Sequence, residues 1–190
     1  MKLLNTHRTG QSMVEAVFAI GILLIVTSAV LGLTTSNISG SQSAEFQIIA
    51  NNLAREGIEV VRSMRDANWL SGQQWNQGLS DSGGVSNRAR VEFNEAQNTW
   101  SLNFNYVDDS LYISPNGVYS HQETGSTKSS YARFIDLNNI CADGSGNERI
   151  AFPCAAGEQQ VGVKVTARVT WTERGRQHAV TLEDLLYAWK

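Results

Sequence analysis

The sequence predicts an α+β fold, with a long N-terminal α-helix packed on a C-terminal antiparallel β-sheet. Three observations predict it. Residues 16–33 form an uncharged apolar run, and residues 44–66 continue in helical period with one apolar stripe and one charged face. From residue 88 onward the apolar period changes from 3.6 to 2, the mark of half-buried strands.

The apolar run carries Phe18, Ile20, Ile22, Leu23, Leu24, Ile25, Val26, Val30 and Leu31, and Glu15 sits at its start. At about 1.5 Å per residue, a helix from Met13 to Leu33 is roughly 30 Å long, one bilayer core. A carboxylate at the edge of such a segment costs a few kcal/mol unless it is paired, so Glu15 asks for a functional reason. Lys2, Arg8 and Gly10 all precede the run. A secretory signal peptide has its small-residue cut after the apolar part, not before it.

Residues 34–44 are polar and poor in helix formers, with Gly32 and Gly40 as punctuation. Continuation is favoured over a break, because the chain is strongly helical from Ala44 on. Phe46, Ile49, Leu53, Val60 and Met64 fall at helical spacing, and Ile58 and Val61 broaden the stripe. Glu45, Arg55, Glu56, Glu59, Arg62 and Arg65 fill the other face, with Glu59 and Arg62 placed for an ion pair. One helix from about Met13 to Asp66 is the result, roughly 80 Å long. Its membrane half covers residues 11–35 and its amphipathic half residues 36–67; residues 68–190 form a β-rich head.

Asn68 to Asn87 reads as a loop containing Trp69, Trp75 and Gly83-Gly84. Ala89, Val91 and Phe93 then alternate with Arg88, Arg90 and Glu92. After a turn at Glu95-Ala96-Gln97-Asn98, Trp100, Leu102, Phe104 and Tyr106 alternate with polar residues, which predicts a hairpin. A second, tight hairpin is predicted where Ser114-Pro115-Asn116-Gly117 joins Leu111–Ile113 to Val118-Tyr119. Residues 121–130 read as a polar loop and Tyr131 to Leu137 as a short strand. The clearest strand is late: Val161, Val163, Val165, Ala167, Val169 and Trp171 share one face and polar residues the other. Glu173-Arg174-Gly175-Arg176 turns, Gln177 to Leu182 returns, and an apolar segment from Asp184 to Trp189 closes the chain.

The chain has 190 residues, net charge −3 and only 17% charged residues, which argues against a nucleic-acid-binding surface. Its two cysteines, Cys141 and Cys154, suggest one disulfide if the domain leaves the cytoplasm. No phosphate loop, dinucleotide fingerprint, nucleophile elbow or zinc spacing is present, and His7, His121 and His178 are scattered. The expectation is therefore a non-enzyme. Asp143, Asn147 and Glu148, on the Gly-rich stretch between the cysteines, carry oxygen ligands of the kind Ca²⁺ takes, without EF-hand spacing. A plain polar turn is the alternative.

Gly10 before a potential cut, Glu15 as the fifth residue after it, and the uncharged run behind them resemble the type IV prepilin family, which includes minor pilins and pseudopilins. The stretches Leu53-Ala54-Arg55-Glu56-Gly57-Ile58-Glu59 and Val169–Gln177 with Val180–Glu183 are similar to that family as well. The resemblance implies residues 1–10 as a leader removed by prepilin peptidase between Gly10 and Gln11. The remaining chain would hold 13 basic and 18 acidic residues. Gln11 stands where the best-known members carry Phe, and the family's N-methylation would fall on it. Glu15 would set the register of incoming subunits. The resemblance further implies a single-pass location in the cytoplasmic membrane before assembly, and a place in a periplasmic or extracellular filament afterwards. Its partners would be other pilin or pseudopilin subunits. Adhesive, twitching, DNA-uptake and secretion systems all fall within the family. Some pseudopilins bind Ca²⁺, which extends to residues 143–148 by resemblance only. The alternative reading is a single-pass, signal-anchored membrane protein with an outer β-rich binding domain.

Overall fold

The computed structural model describes residues 9–81, 84–94 and 97–188. Lys2, His7 and Arg8, the Gly83 and Glu95-Ala96 turn positions and Trp189 lie outside the described residues, as does the side chain of Gln11. Among the described residues one helix, α1 (Thr9–Leu70), is followed by eight strands. These are β1 (Arg88–Asn94), β2 (Thr99–Asn103), β3 (Ser110–Ile113), β4 (Tyr119–Ser120), β5 (Thr127–Ala142), β6 (Glu148–Ala151), β7 (Gln159–Glu173) and β8 (Arg176–Tyr187). The α+β fold is as expected: a long helix and an antiparallel sheet. The chain divides into two units, one ending at Glu45 and the other starting at Phe46.

In the first unit the helix crosses the polar 34–44 stretch without a break. Hydroxyls that would compete with the helix instead donate back to its own carbonyls: Thr27 to Leu23 at 2.8 Å, Ser28 to Leu24 at 2.6 Å, Thr34 to Val30 at 2.9 Å. At its other end α1 runs four residues past the expected Asp66. It stops where Gln73 N–H reaches Asn68 O (2.9 Å) and Gly72 N–H reaches Trp69 O (3.1 Å). That pair of bonds caps the last carbonyls.

In the second unit the C-terminal part of α1 lies on the sheet. Ala50, Leu53, Ala54, Ile58 and Val61 are buried with Ile135, Leu137, Val163, Val165, Ala167 and Val169. Small residues set the close approach. A Cβ placed on Gly57 would stand 3.2 Å from Ile135 Cγ2 and 3.6 Å from the Ala167 Cβ. Arg65 does not share the outward face predicted for it: it is 5% exposed, its Nε pairs with Asp66 and its Nη1 donates to Tyr187 O at 3.3 Å. Helical period places the residue on the flank of the stripe, and β8 reaches far enough to cover it.

β5 is the centre of the sheet. One of its sides pairs with β7 from Tyr131↔Trp171 to Ala142↔Gln159; the other takes β3, β1 and β6 in succession. This explains why β5 spans 16 residues where only Tyr131–Leu137 was expected, and why the polar loop before it is shorter. Its polar ends are strand because partners on both sides take their backbone groups.

β2 ends at Asn103, short of Phe104 and Tyr106, because Asn103 Oδ1 accepts the Asn105 N–H (2.9 Å) and turns the chain. β7 keeps the predicted alternation from Val163 to Trp171, all 5% exposed or less. Val161 falls out of it. The register slips from Ile140↔Gly162 to Cys141↔Gln160, leaving Val161 as the extra residue of a bulge. β7 and β8 join through Arg174 and Gly175, both at positive φ, with Glu173↔Arg176 closing the two-residue turn. The segment from Asp184 extends β8 rather than forming a separate element.

Candidate functional site

Every side chain from Met13 to Ile38 is exposed in the isolated chain, including Phe18 (68%) and Ile25 (70%). This part of α1 is long and apolar enough to cross a membrane and is compatible with a single-pass anchor. The hydroxyl bonds within α1 suit such a medium, where an unpaired polar group is costly. Gly10 and Gln11 lie in the first turn of α1, and the exposed Glu15 lies about one turn further on.

The head is fastened to its own helix by a buried arginine that sequence reasoning missed. Arg133, fully buried on β5, donates through Nη1 to Leu53 O (3.1 Å) and to Glu56 Oε1 (2.8 Å). Its Nε and Nη2 are buried without a hydrogen bond among the described residues. Gly57 lies beside it, and a Cβ there would stand in ordinary contact with Arg133 Cδ at 3.9 Å. The signal was present in the alternation Tyr131, Arg133, Ile135, Leu137: one charge on an otherwise apolar strand face. Glu56, expected to face outward, turns to this pair.

Cys141 and Cys154 are bonded, with Cα atoms 5.6 Å apart. The bond closes a loop that contains β6, whose four residues pair with Asn139–Ala142. In the chain-entropy model such a closure stabilises by about 3 kcal/mol. Within the loop, Asp143 Oδ1 accepts the backbone N–H of Ser145 (2.8 Å) and Asn147 (2.9 Å), and Oδ2 accepts Asn147 Nδ2 (2.9 Å). The Asn147 side chain and these N–H groups hold the Asp143 carboxyl below its ordinary range. Glu148 Oε2 accepts the Tyr187 hydroxyl at 2.9 Å. Both Asp143 carboxylate oxygens are thus engaged within the turn, Asn147 is held there through its Nδ2, and Tyr187 engages one Glu148 oxygen. Glu158, beside the disulfide, is paired with Arg149.

A polar cleft of about 530 Å³ lies between the β1–β2 hairpin and the end of β4, lined by Glu92, Phe93, Ser101, Ser120 and His121 among others. The carbonyl of Ser110 accepts from His121 Nδ1 at 3.0 Å, which fixes the proton on that nitrogen. Burial first, and the Arg133 charge second, push the His121 pKa down to about 4. The ring is neutral at ordinary pH.

Comparison of the chain with family models, with curated proteins and with solved structures returns no match.

Proposed function

We propose that this chain is a structural subunit, a minor pilin or pseudopilin, of a type IV pilus-like filament. In this reading it is cut between Gly10 and Gln11 by prepilin peptidase and assembles through the N-terminal part of α1. The observation that carries the reading is the apolar surface of α1: from Met13 to Leu33 its side chains face out on every side, with Glu15 as the one acidic group among them. A helix apolar all round needs a medium or partner helices to cover it. A membrane supplies the cover before assembly and neighbouring α1 helices supply it afterwards. The head would lie outside the cytoplasm, where the Cys141–Cys154 bond persists. The role is structural rather than catalytic.

The resemblance at Gly10 and Glu15 separates this reading from a plain signal anchor, which needs neither residue. N-terminal sequencing of the mature protein tests it. Gln11 as first residue supports processing, and Gly10→Leu should leave uncut protein in the membrane. Met1 as first residue, or normal maturation of the Gly10→Leu variant, would refute it.

A further inference from the structure

β8 is a free edge of the sheet: among the described residues it pairs with β7 and with no other strand. It has 12 residues and no proline, and its register with β7 is unbroken from Glu173↔Arg176 to Gly162↔Tyr187. Such an edge is a template for another strand unless it is blunted. Ala188 N–H donates to Val161 O (2.8 Å), which fixes the parity of the ladder. Even-numbered residues of β8 turn their backbone groups to β7. Gln177, Ala179, Thr181, Glu183, Leu185 and Tyr187 turn theirs outward.

The C-terminal end of this edge is closed. Asp184 Oδ1 accepts the Leu185 N–H (2.9 Å), Arg62 holds Asp184 Oδ2, and Arg65 Nη1 donates to Tyr187 O (3.3 Å). From Gln177 to Glu183 nothing among the described residues takes the outward groups, and the side chains of Gln177, Ala179, Thr181 and Glu183 are exposed. That window is about as long as an ordinary strand. Its alternating donors and acceptors are matched by another extended backbone.

The window is complementary to itself. In an antiparallel pair of β8 strands the outward residues must stand opposite one another, odd against odd. Centred on Val180, the pair sets Gln177 opposite Glu183 and Ala179 opposite Thr181, and does not call on the Leu185 N–H. Arg176, exposed and in no ion pair among the described residues, then meets Asp184 of the second copy. The Gln177 amide meets Glu183, whose Oε1 holds Lys164 at 2.9 Å. No like charges face each other. Centring on Thr181 instead sets Gln177 against Leu185, whose N–H is taken, and Arg176 against Leu186. Centring on Ala179 runs Glu183 into the turn at Gly175. A groove of about 440 Å³ between α1 and this edge, lined by Glu59, Arg62, Leu182 and Asp184 among others, leaves room for the incoming Arg176.

We propose that the Gln177–Glu183 edge pairs antiparallel with the same edge of a second copy of this chain, about a two-fold axis at Val180. α1 and β8 run the same way across the head: Phe46 stands by Tyr131, next to Trp171 and His178, whereas Arg65 reaches Tyr187. The axis therefore sets the α1 segments of the two heads antiparallel, and the contact joins chains presented from facing surfaces. It belongs to the heads and holds whether or not the chain is cut after Gly10.

The full chain in zwitterionic micelles is followed by sedimentation equilibrium and by cysteine cross-linking. The parent should dimerise with Kd at or below about 100 µM. Thr181→Pro removes an outward N–H and no hydrogen bond within the chain; it should weaken the dimer at least about tenfold with little change in Tm. Arg176→Glu, which sets two acids together, provides a second block should Thr181→Pro fold poorly. Val180 faces its own copy at a non-hydrogen-bonded position, where Cα atoms stand about 4.5 Å apart, within disulfide range. Val180→Cys should therefore cross-link several-fold faster than Thr181→Cys. A monomeric parent, a dimer that neither block weakens, or faster cross-linking of Thr181→Cys overturns the proposal.

Discussion

His121 makes the stability of the head depend on pH in a window where few other groups titrate. Its pKa falls from an ordinary 6.5 to about 4 in the fold, first through burial and then through the Arg133 charge. Arg90 adds to the depression, while Glu92 and the bond to the Ser110 carbonyl oppose it. A proton therefore binds the unfolded chain more readily than the folded one. Above pH 6.5 the ring is neutral in both states and costs nothing. As pH falls from 6.5 toward 4 the unfolded chain gains protons that the fold rejects, and stability declines. With those two pKa values the loss is about 2 kcal/mol at pH 5 and about 3 kcal/mol at pH 4. Carboxylates also titrate at the acid end, so the measured quantity is a difference. Urea unfolding of the parent and of His121→Gln is followed at pH 7.5, 6, 5 and 4.5. The glutamine keeps a donor for the Ser110 carbonyl and cannot take a charge. The parent should lose about 2 kcal/mol more than the variant between pH 7.5 and 5. Equal slopes for the two proteins, or an NMR titration of His121 near its ordinary value, would refute the reasoning.

Three further outcomes follow from the described contacts. Glu56→Ala strips the buried Arg133 of its anion and should cost about 2–4 kcal/mol in chemical unfolding. Adding Arg133→Met should recover much of that loss, because it also removes two guanidinium nitrogens that lack partners; a strictly additive double variant would contradict this. Replacing Cys141 and Cys154 by Ser should lower head stability by about 3 kcal/mol while membrane insertion, measured by carbonate extraction, stays normal. On the proposed filament reading, and not from any contact described above, Glu15→Ala would be processed and inserted normally yet enter filaments poorly, because its carboxylate would meet the new amine at Gln11 of a neighbouring subunit in an apolar bundle. Glu15→Gln separates charge from shape, and wild-type assembly by both variants would rule out a register role.

Much of the fold was legible because it is written in local period. The change from 3.6 to 2 placed α1, β1, β7 and the return strand β8. The turns at Gly175 and Ser114–Gly117 followed from glycines that accept a positive φ; Arg174, also at positive φ, carried no such signal. The cysteine pair was expected from its even count, on the expectation of an exported domain, and the bond is present. At the candidate site, Glu15 and the apolar run could be picked out by composition alone. Arg133, Glu56 and His121 could not. Period says which face of an element a residue occupies, but whether a charge on that face is affordable depends on a partner far along the chain. Arg133 is buried because Glu56 and the Leu53 carbonyl, 77 and 80 residues away, receive its Nη1 donation. Likewise β5 is long because four strands take its backbone groups, and Arg65 is covered because β8 reaches Tyr187. Alternation and turn chemistry act between neighbours in sequence, so the sequence alone determined most of the elements, but neither β6 nor the length of β5. Burial of polar groups acts between neighbours in space, so only the tertiary structure decided where the charges went.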